Sequence, residues 1–217
     1  KPKGVMLEHR GVENFMEAMV RVLPLEEGTR VLCTTTPSFD IFVLETLLPL
    51  TRGLEVVLAS EDEQRLPDLL AARVMADRCD VVQLTPSRLQ LLLAHPAGQA
   101  ALRAVKAVLV GGEALPPQVL RTLHDRTSAR IFNLYGPTET TVWSTAAELT
   151  QALHVHVGRP LLNTQVYVVG AMGDLLPPGA VGEILIGGDG VARGYLNRPE
   201  LTRERFIEAP AWGPGRL

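Results

Sequence analysis

Between residues 8 and 148 the chain alternates between two hydrophobic periods, and that alternation constrains its fold more than any other feature. Residues 10–22 carry Val12, Phe15, Met16, Met19 and Val20 at helical spacing, so they predict an amphipathic helix. Residues 30–35 then read as a strand, and residues 39–51 as a helix entered after Pro37 and Ser38. The pattern repeats as strand 54–59, helix 67–78, strand 80–85, helix 86–95, strand 104–110, helix 116–126 and strand 129–135. Pro86 and the prolines at 116 and 117 stand where a helix starts, a position whose missing N–H costs no intrahelical bond. Strands separated by helices predict an α/β protein with a mostly parallel sheet covered by helices on both faces.

After Thr150 the character changes. Gly158, Asn163, Gly173, Asp174, Pro177, Pro178 and Gly179 punctuate short apolar runs at 165–169 and 183–186, which read as strands joined by turns. The expected division is therefore an α/β part over residues 1–150 and a β-rich part over residues 151–217. Gly187, Gly188 and Gly190 follow a short strand and read as a structural turn.

Hydrophobic residues make up 46% of the 217 and charged residues 21%, as in a soluble globular protein long enough to bury a substantial core. The net charge of −3 comes from interspersed acids and bases. No basic stripe offers itself to nucleic acid and no polybasic patch to a membrane. The apolar run 41–50 is too short to span a bilayer and is interrupted by Glu45 and Pro49. Cys33 and Cys79 have no neighbouring Cys or His at metal-ligand spacing, so they read as buried, reduced thiols of a cytoplasmic protein.

The chemistry concentrates at the end of the strand at 129–135. Asn133, Leu134, Tyr135, Gly136, Pro137, Thr138 and Glu139 combine a flat ring, a tight bend, a hydroxyl donor and a carboxylate in consecutive positions. A nucleotide needs that set: a face for the base, backbone close to phosphate, a donor for a phosphate oxygen and an acid for magnesium. A loop leaving the carboxyl end of a strand is also where ligands sit in open α/β sheets. Neither G-x-x-x-x-G-K-[ST] nor a helix-opening G-x-G-x-x-G is present.

Residues 133–140 resemble the Asn-x-Tyr-Gly-Pro-Thr-Glu-Thr motif of amino-acid adenylation domains in nonribosomal peptide synthetases, within the adenylate-forming superfamily. Further pieces resemble that family in the same order. They are Pro2, Lys3, Gly4 and Val5, then the run from Glu8 to Gly11, Phe39 with Asp40, the run from Gly111 to Leu115, Gly182 with Glu183, and the run from Gly190 to Leu196. The resemblance implies a flavodoxin-like, mostly parallel sheet flanked by helices over 1–150, followed by part of a small distorted β-barrel.

It also implies roles. Gly111, Gly112, Glu113, Ala114, Asn133, Leu134, Tyr135, Gly136 and Thr138 would bind ATP, with Thr138 on the α-phosphate and Glu139 on Mg²⁺. Phe39, Asp40, Ile41, Leu44, Gln83, Leu109, Gly111, Leu134, Val142 and Trp143 would wall the amino-acid site, with Asp40 pairing the α-ammonium. That set is similar to those of glycine-activating domains, with alanine as the second expectation. The implied reaction forms an aminoacyl-adenylate and passes the acyl group to a phosphopantetheine thiol. The carrier-protein and condensation domains of the same synthetase would be its partners. The family's full phosphate loop, a ribose-binding Asp and a catalytic lysine have no counterpart in these residues. The expectation is an internal fragment, inactive by itself. Two other readings stand beside this one: an acyl- or aryl-CoA ligase of the same superfamily, and a non-catalytic relic that binds nucleotide or only partners.

Overall fold

The computed structural model describes residues 3–208 and 215–217, so Pro2 of the expected phosphate-loop tail lies outside the described residues. The chain opens with helix α1 (His9–Val22), which buries Gly11, Phe15, Ala18 and Met19. Strand β1 (Arg30–Cys33) follows, and then a segment of π-helix at Val43–Leu47 running into α2 (Leu48–Thr51). Next come β2 (Glu55–Leu58), α3 (Glu61–Arg65), α4 (Pro67–Ala76) and β3 (Val81–Leu84). The alternation continues with α5 (Pro86–Leu93), α6 (Pro96–Ala104), β4 (Ala107–Gly111), α7 (Pro117–Arg126) and β5 (Arg130–Tyr135).

The first five strands are parallel and lie in the order β2-β1-β3-β4-β5, the flavodoxin-like order of a doubly wound sheet. Every residue of β3 and β4 is buried, which explains why β4 reads as a continuous apolar run and β3 as one broken only by Gln83. Val82, Leu84, Val108, Val110 and Ile131 face a core that also receives Leu70 and Val74 of α4, Leu89 and Leu92 of α5, Leu102 of α6, and Leu120 and Leu123 of α7. Each such leucine contributes roughly 1.5–3 kcal/mol by leaving water.

Three sequence expectations change in the structure. The helix expected over 39–51 begins only at Val43, leaving Asp40 in the preceding turn, where its carbonyl accepts the Val43 N–H at 2.9 Å. Pro49 supplies the physical reason. It has no N–H for the carbonyl of Glu45, and its ring would collide with that carbonyl in a regular α-helix. The wider turn steps over it, with the Leu48 N–H reaching back to Val43. Two short helices also escaped the periodicity. Helix α3 buries none of its residues, although Ser60 and Glu63 form a complete capping box at its start. Helix α6, opened by Pro96, takes up residue 104 of the strand expected at 104–110. Finally, β6 (Thr145–Glu148) runs antiparallel beside β5, pairing Asn133 with Ala147 and Leu134 with Ala146. With β7 (Arg159–Pro160) at its edge, the sheet has seven strands.

The remaining elements are β8 (Thr164–Val169), β9 (Glu183–Gly188) and α8 (Pro199–Arg205). Strands β8 and β9 form an antiparallel pair in full register from Thr164 opposite Gly188 to Val169 opposite Glu183. Contacts group the chain into two compact units that interleave in sequence, where the sequence suggested one division at residue 150. The α/β unit holds residues 22–135 and 145–159; the other holds 1–21, 136–144 and 160–217. Helix α1 falls in the second unit because Gly11 lies against Thr141 and Asp189: a Cβ there would meet Thr141 Oγ1 at 3.0 Å and the Asp189 carbonyl at 3.1 Å. Among the described residues no helix is long and apolar enough to cross a membrane.

Candidate functional site

In the α/β unit the winding reverses between β1 and β3, the place where doubly wound sheets open a crevice at the carboxyl ends of their strands. A cleft of about 340 Å³ lies there. Its walls include Thr34, Thr35 and Thr36 after β1, Thr85 after β3, Gly112 and Glu113 after β4, and Phe39, Ile41 and Gln83. Gly112 has φ +84, a left-handed conformation that glycine adopts without a Cβ penalty, and an added Cβ would lie 3.8 Å from Ile41 Cδ1. Glu113 accepts hydrogen bonds from the Ser87 hydroxyl at 2.5 Å and the Ser87 N–H at 3.2 Å. The Ser87 hydroxyl holds its carboxyl below the ordinary range.

Phe39 is exposed beside Asp40, whose Oδ2 is buried without a hydrogen-bond partner. A desolvated carboxylate oxygen left unpaired is costly, and its natural complement is a cation. Gln83 is 3% exposed, and its Nε2 is likewise buried without a partner. Behind Gln83, a void of only about 10 Å³ is lined by Leu44 and Leu109 among others. Gly111 and Leu134 are paired in register between β4 and β5. Asn133 is buried and donates from Nδ2 to the His156 carbonyl at 2.9 Å. Tyr135 ends β5 with its ring partly exposed, and Ala114 is exposed in the loop after β4. The fold thus gathers Phe39, Ile41, Gln83, Gly112 and Glu113 on one cleft, and Leu44, Leu109 and Gln83 on one small void.

In the second unit, Thr138 and Glu139 begin a single 3-10 turn, Thr138–Thr140. Thr141 and Val142 follow it with φ of +63° and +65°, an unusual conformation for β-branched residues. Trp143 is 4% exposed, with its indole N–H unpaired. Gly136 is obligatory for this path, since a Cβ would lie 2.5 Å from the Ser144 nitrogen and 2.7 Å from Trp143 Cα.

The carboxylate of Glu139 accepts from Lys3 Nζ at 2.7 Å and from the Tyr195 hydroxyl, both on Oε1. Burial works against its charge, but the hydrogen bonds from Lys3 and Tyr195 outweigh it and hold the group below the ordinary carboxylate range. Among the described residues no cluster of three His, Cys, Asp or Glu could hold a metal. A magnesium ion usually needs only one or two protein carboxylates when phosphate oxygens and water supply the rest, so a lone ionised Glu139 fits that donor set. Sequence reasoning gave Lys3 and Tyr195 no role at this carboxylate. They lie 136 and 56 positions from Glu139, so no local spacing could have paired them.

A doubly wound α/β core with a crevice at its switch point defines the class of open α/β proteins that bind ligands at the carboxyl ends of their strands. The chain belongs to the AMP-binding enzyme family, whose model matches residues 1–196. It is 43% identical over 217 residues to a dimodular nonribosomal peptide synthase of Bacillus subtilis (strain 168), a match covering 99% of this chain and 9% of that protein. Tyrocidine synthase 3 of Brevibacillus parabrevis is 38% identical over 212 residues, covering 96% of this chain and 3% of its own length. Among solved structures, a four-domain nonribosomal peptide synthetase bound to AMP and glycine matches with a TM-score of 0.92 at 39% identity, over all of this chain and 16% of that one. The chain thus spans less than a tenth of these curated relatives, and its resemblance to nonribosomal peptide synthetase adenylation domains is established.

Proposed function

We propose that this chain carries the nucleotide and amino-acid sites of an adenylation domain that activates glycine with ATP. The observation that carries the reading is the buried, unpartnered Oδ2 of Asp40, whose chain neighbours Phe39 and Ile41 line the switch-point cleft. An α-ammonium satisfies it, whereas the acyl group of a CoA ligase substrate brings no cation.

In this reading Asp40 holds the ammonium and leaves the substrate carboxylate free. A carboxylate oxygen then bonds to the α-phosphorus of ATP, and the bond to the bridging oxygen breaks, releasing pyrophosphate. Tyr135 offers its ring to adenine, the backbone at Gly111 and Gly112 approaches the base, and the Thr138 hydroxyl donates to the α-phosphate. Glu139 would hold magnesium, which when bound neutralises phosphate charge. The acyl group would then pass to a phosphopantetheine thiol on a carrier-protein domain, with a condensation domain as the next partner.

Glycine is supported by volume. Within the α/β unit, Leu44, Gln83 and Leu109 line a void of only about 10 Å³, and Ile41 and Leu134 are large and buried. A filled pocket excludes larger side chains by overlap, while lost burial discriminates against smaller ones by only about 1–3 kcal/mol per methylene. One related structure was solved with AMP and glycine bound. Alanine is the second choice, one methyl larger.

The test is amino-acid-dependent ATP–pyrophosphate exchange by the full-length domain, against all proteinogenic amino acids. Exchange with glycine above all others is expected. Exchange with a larger amino acid would discard the pocket reading and keep the class, and dependence on a carboxylic acid lacking an ammonium would favour the CoA-ligase reading. The 217 residues alone are expected to give no exchange, because they hold no counterpart of the family's catalytic lysine.

A further inference from the structure

The Tyr195 hydroxyl is the one polar group of a small apolar cluster, and it is spent on Glu139. Ala192, Tyr195 and Phe206 form that cluster, with Val5, Leu7, Val191 and Leu201 packed against it. The Tyr195 ring meets Phe206 edge-on at 5.5 Å, and its main chain bridges to Val5. Its N–H donates to Thr202 Oγ1 at 2.9 Å. Packing alone would be served by phenylalanine. The hydroxyl instead reaches Glu139 Oε1, while the Ala192 N–H donates to the Glu139 carbonyl at 2.8 Å. The segment 192–195 therefore grips Glu139 by both its main chain and its side chain.

Lys3 shares that oxygen on different terms. Its Nζ lies 2.7 Å from Oε1 and 3.0 Å from the Tyr195 hydroxyl, but its side chain is half exposed. An approaching divalent cation repels the ammonium, which can swing into water. Tyr195, 3% exposed and wedged against Phe206, cannot follow it. Both side-chain donors sit on Oε1, and neither occupies Oε2.

We propose that Tyr195 is a positioning residue that fixes the Glu139 carboxylate for a divalent cation, with Lys3 as an exchangeable counter-charge on the same oxygen. This rests on the reading of Glu139 as the magnesium-binding carboxylate. Outer-shell donors that orient a ligating group are typically worth 10–100-fold in metal affinity.

The experiment uses the full-length domain with Mn²⁺ and α,β-methylene ATP, reading free Mn²⁺ by electron paramagnetic resonance without turnover. Tyr195→Phe is expected to weaken Mn²⁺ binding roughly tenfold. It should raise the Mg²⁺ needed for half-maximal exchange by the same factor and leave the KM for the amino acid unchanged. A variant that binds Mn²⁺ like the parent, or that loses metal and amino-acid affinity in equal measure, overturns the proposal. Glu139→Ala separates the two layers. If it too keeps full Mn²⁺ affinity, the magnesium reading itself falls; if it alone loses affinity, only the role of Tyr195 falls. Should Tyr195→Phe not fold, 3-fluorotyrosine at position 195 decides. Its fluorine resonance should shift when Mg²⁺ and the ATP analogue are added, and a stationary signal overturns the proposal.

Discussion

Glu45 Oε2 accepts the N–H of Thr35 at 2.8 Å, and the same oxygen accepts the N–H of Thr34 at 2.8 Å. The Thr35 hydroxyl donates to the other carboxylate oxygen at 2.9 Å. A carboxylate that is 0% exposed thus clamps the turn after β1, five residues before Asp40 and on the far side of it from Glu45 in sequence. Removing it in Glu45→Ala leaves buried donors unsatisfied, at about 1–3 kcal/mol each, and the melting temperature of the variant should fall accordingly.

Burial pushes the Glu45 carboxyl above its ordinary value of 4.5, against the hydrogen bonds from Thr35 and Thr34. The folded state therefore binds this proton more tightly than the unfolded state does. Its contribution is fully present below the unfolded value and is lost as pH rises through the raised folded value. Relative to Glu45→Gln, the wild-type protein should be most stable below the carboxyl's ordinary value of 4.5 and lose ground as pH rises until the raised folded value is passed. Denaturant unfolding of both proteins across that range checks the sign; a difference that grows in favour of wild type with rising pH would refute it.

Gly136→Ala should be harmful out of proportion to one methyl group. The new carbon would meet main-chain atoms of Trp143 and Ser144 at 2.7 and 2.5 Å, which cannot rotate away as a side chain could. Forced repacking of this kind costs about 1–3 kcal/mol. Chemical denaturation should show that loss, and exchange activity of the full-length domain should drop with it.

Neither thiol should react in the native protein. Burial pushes Cys33 up to about 12 and Cys79 up to about 11, so almost no thiolate exists near neutrality. Iodoacetamide at pH 8 should leave both unmodified in buffer and label both in urea, as read by intact mass.

Trp143→Ala in the full-length domain should extend exchange from glycine to alanine and larger amino acids. An unchanged substrate profile would mean that the indole, buried as it is, does not limit the pocket.

Much of this molecule was legible from residue order, for identifiable reasons. Strands β3 and β4 announce themselves because every residue in them is buried, so they read as mainly apolar runs, and the four central residues of β5 are buried in the same way. Helix α3 stayed hidden because a helix that buries nothing has no apolar stripe, even with its Ser60–Glu63 capping box in plain view. The π-segment at Val43–Leu47 was hidden for another reason. Pro49 is visible in sequence, but a proline can end a helix as well as widen it, and residue order alone does not say which. In the site, Asp40 and Glu139 could be singled out as residues, whereas Lys3 and Tyr195 at Glu139 required a fold that joins distant stretches.

That the two units interleave also sets an order of events during synthesis. Residues 1–21 leave the ribosome ahead of the α/β unit, yet belong with residues 136–144 and with residues 160–217, which follow that unit. Lys3 precedes Tyr195 by 192 positions, a delay of roughly 10–40 s at roughly 5–20 residues per second. The α/β unit is complete once Arg159 has emerged, so it can fold while α1 still waits with its apolar face unsatisfied. Chains stalled with Arg159 just outside the ribosome should resist protease across residues 22–159 and be cut before residue 22. Of these residues, the stretch made first is then the last to settle, and the longest in need of shelter.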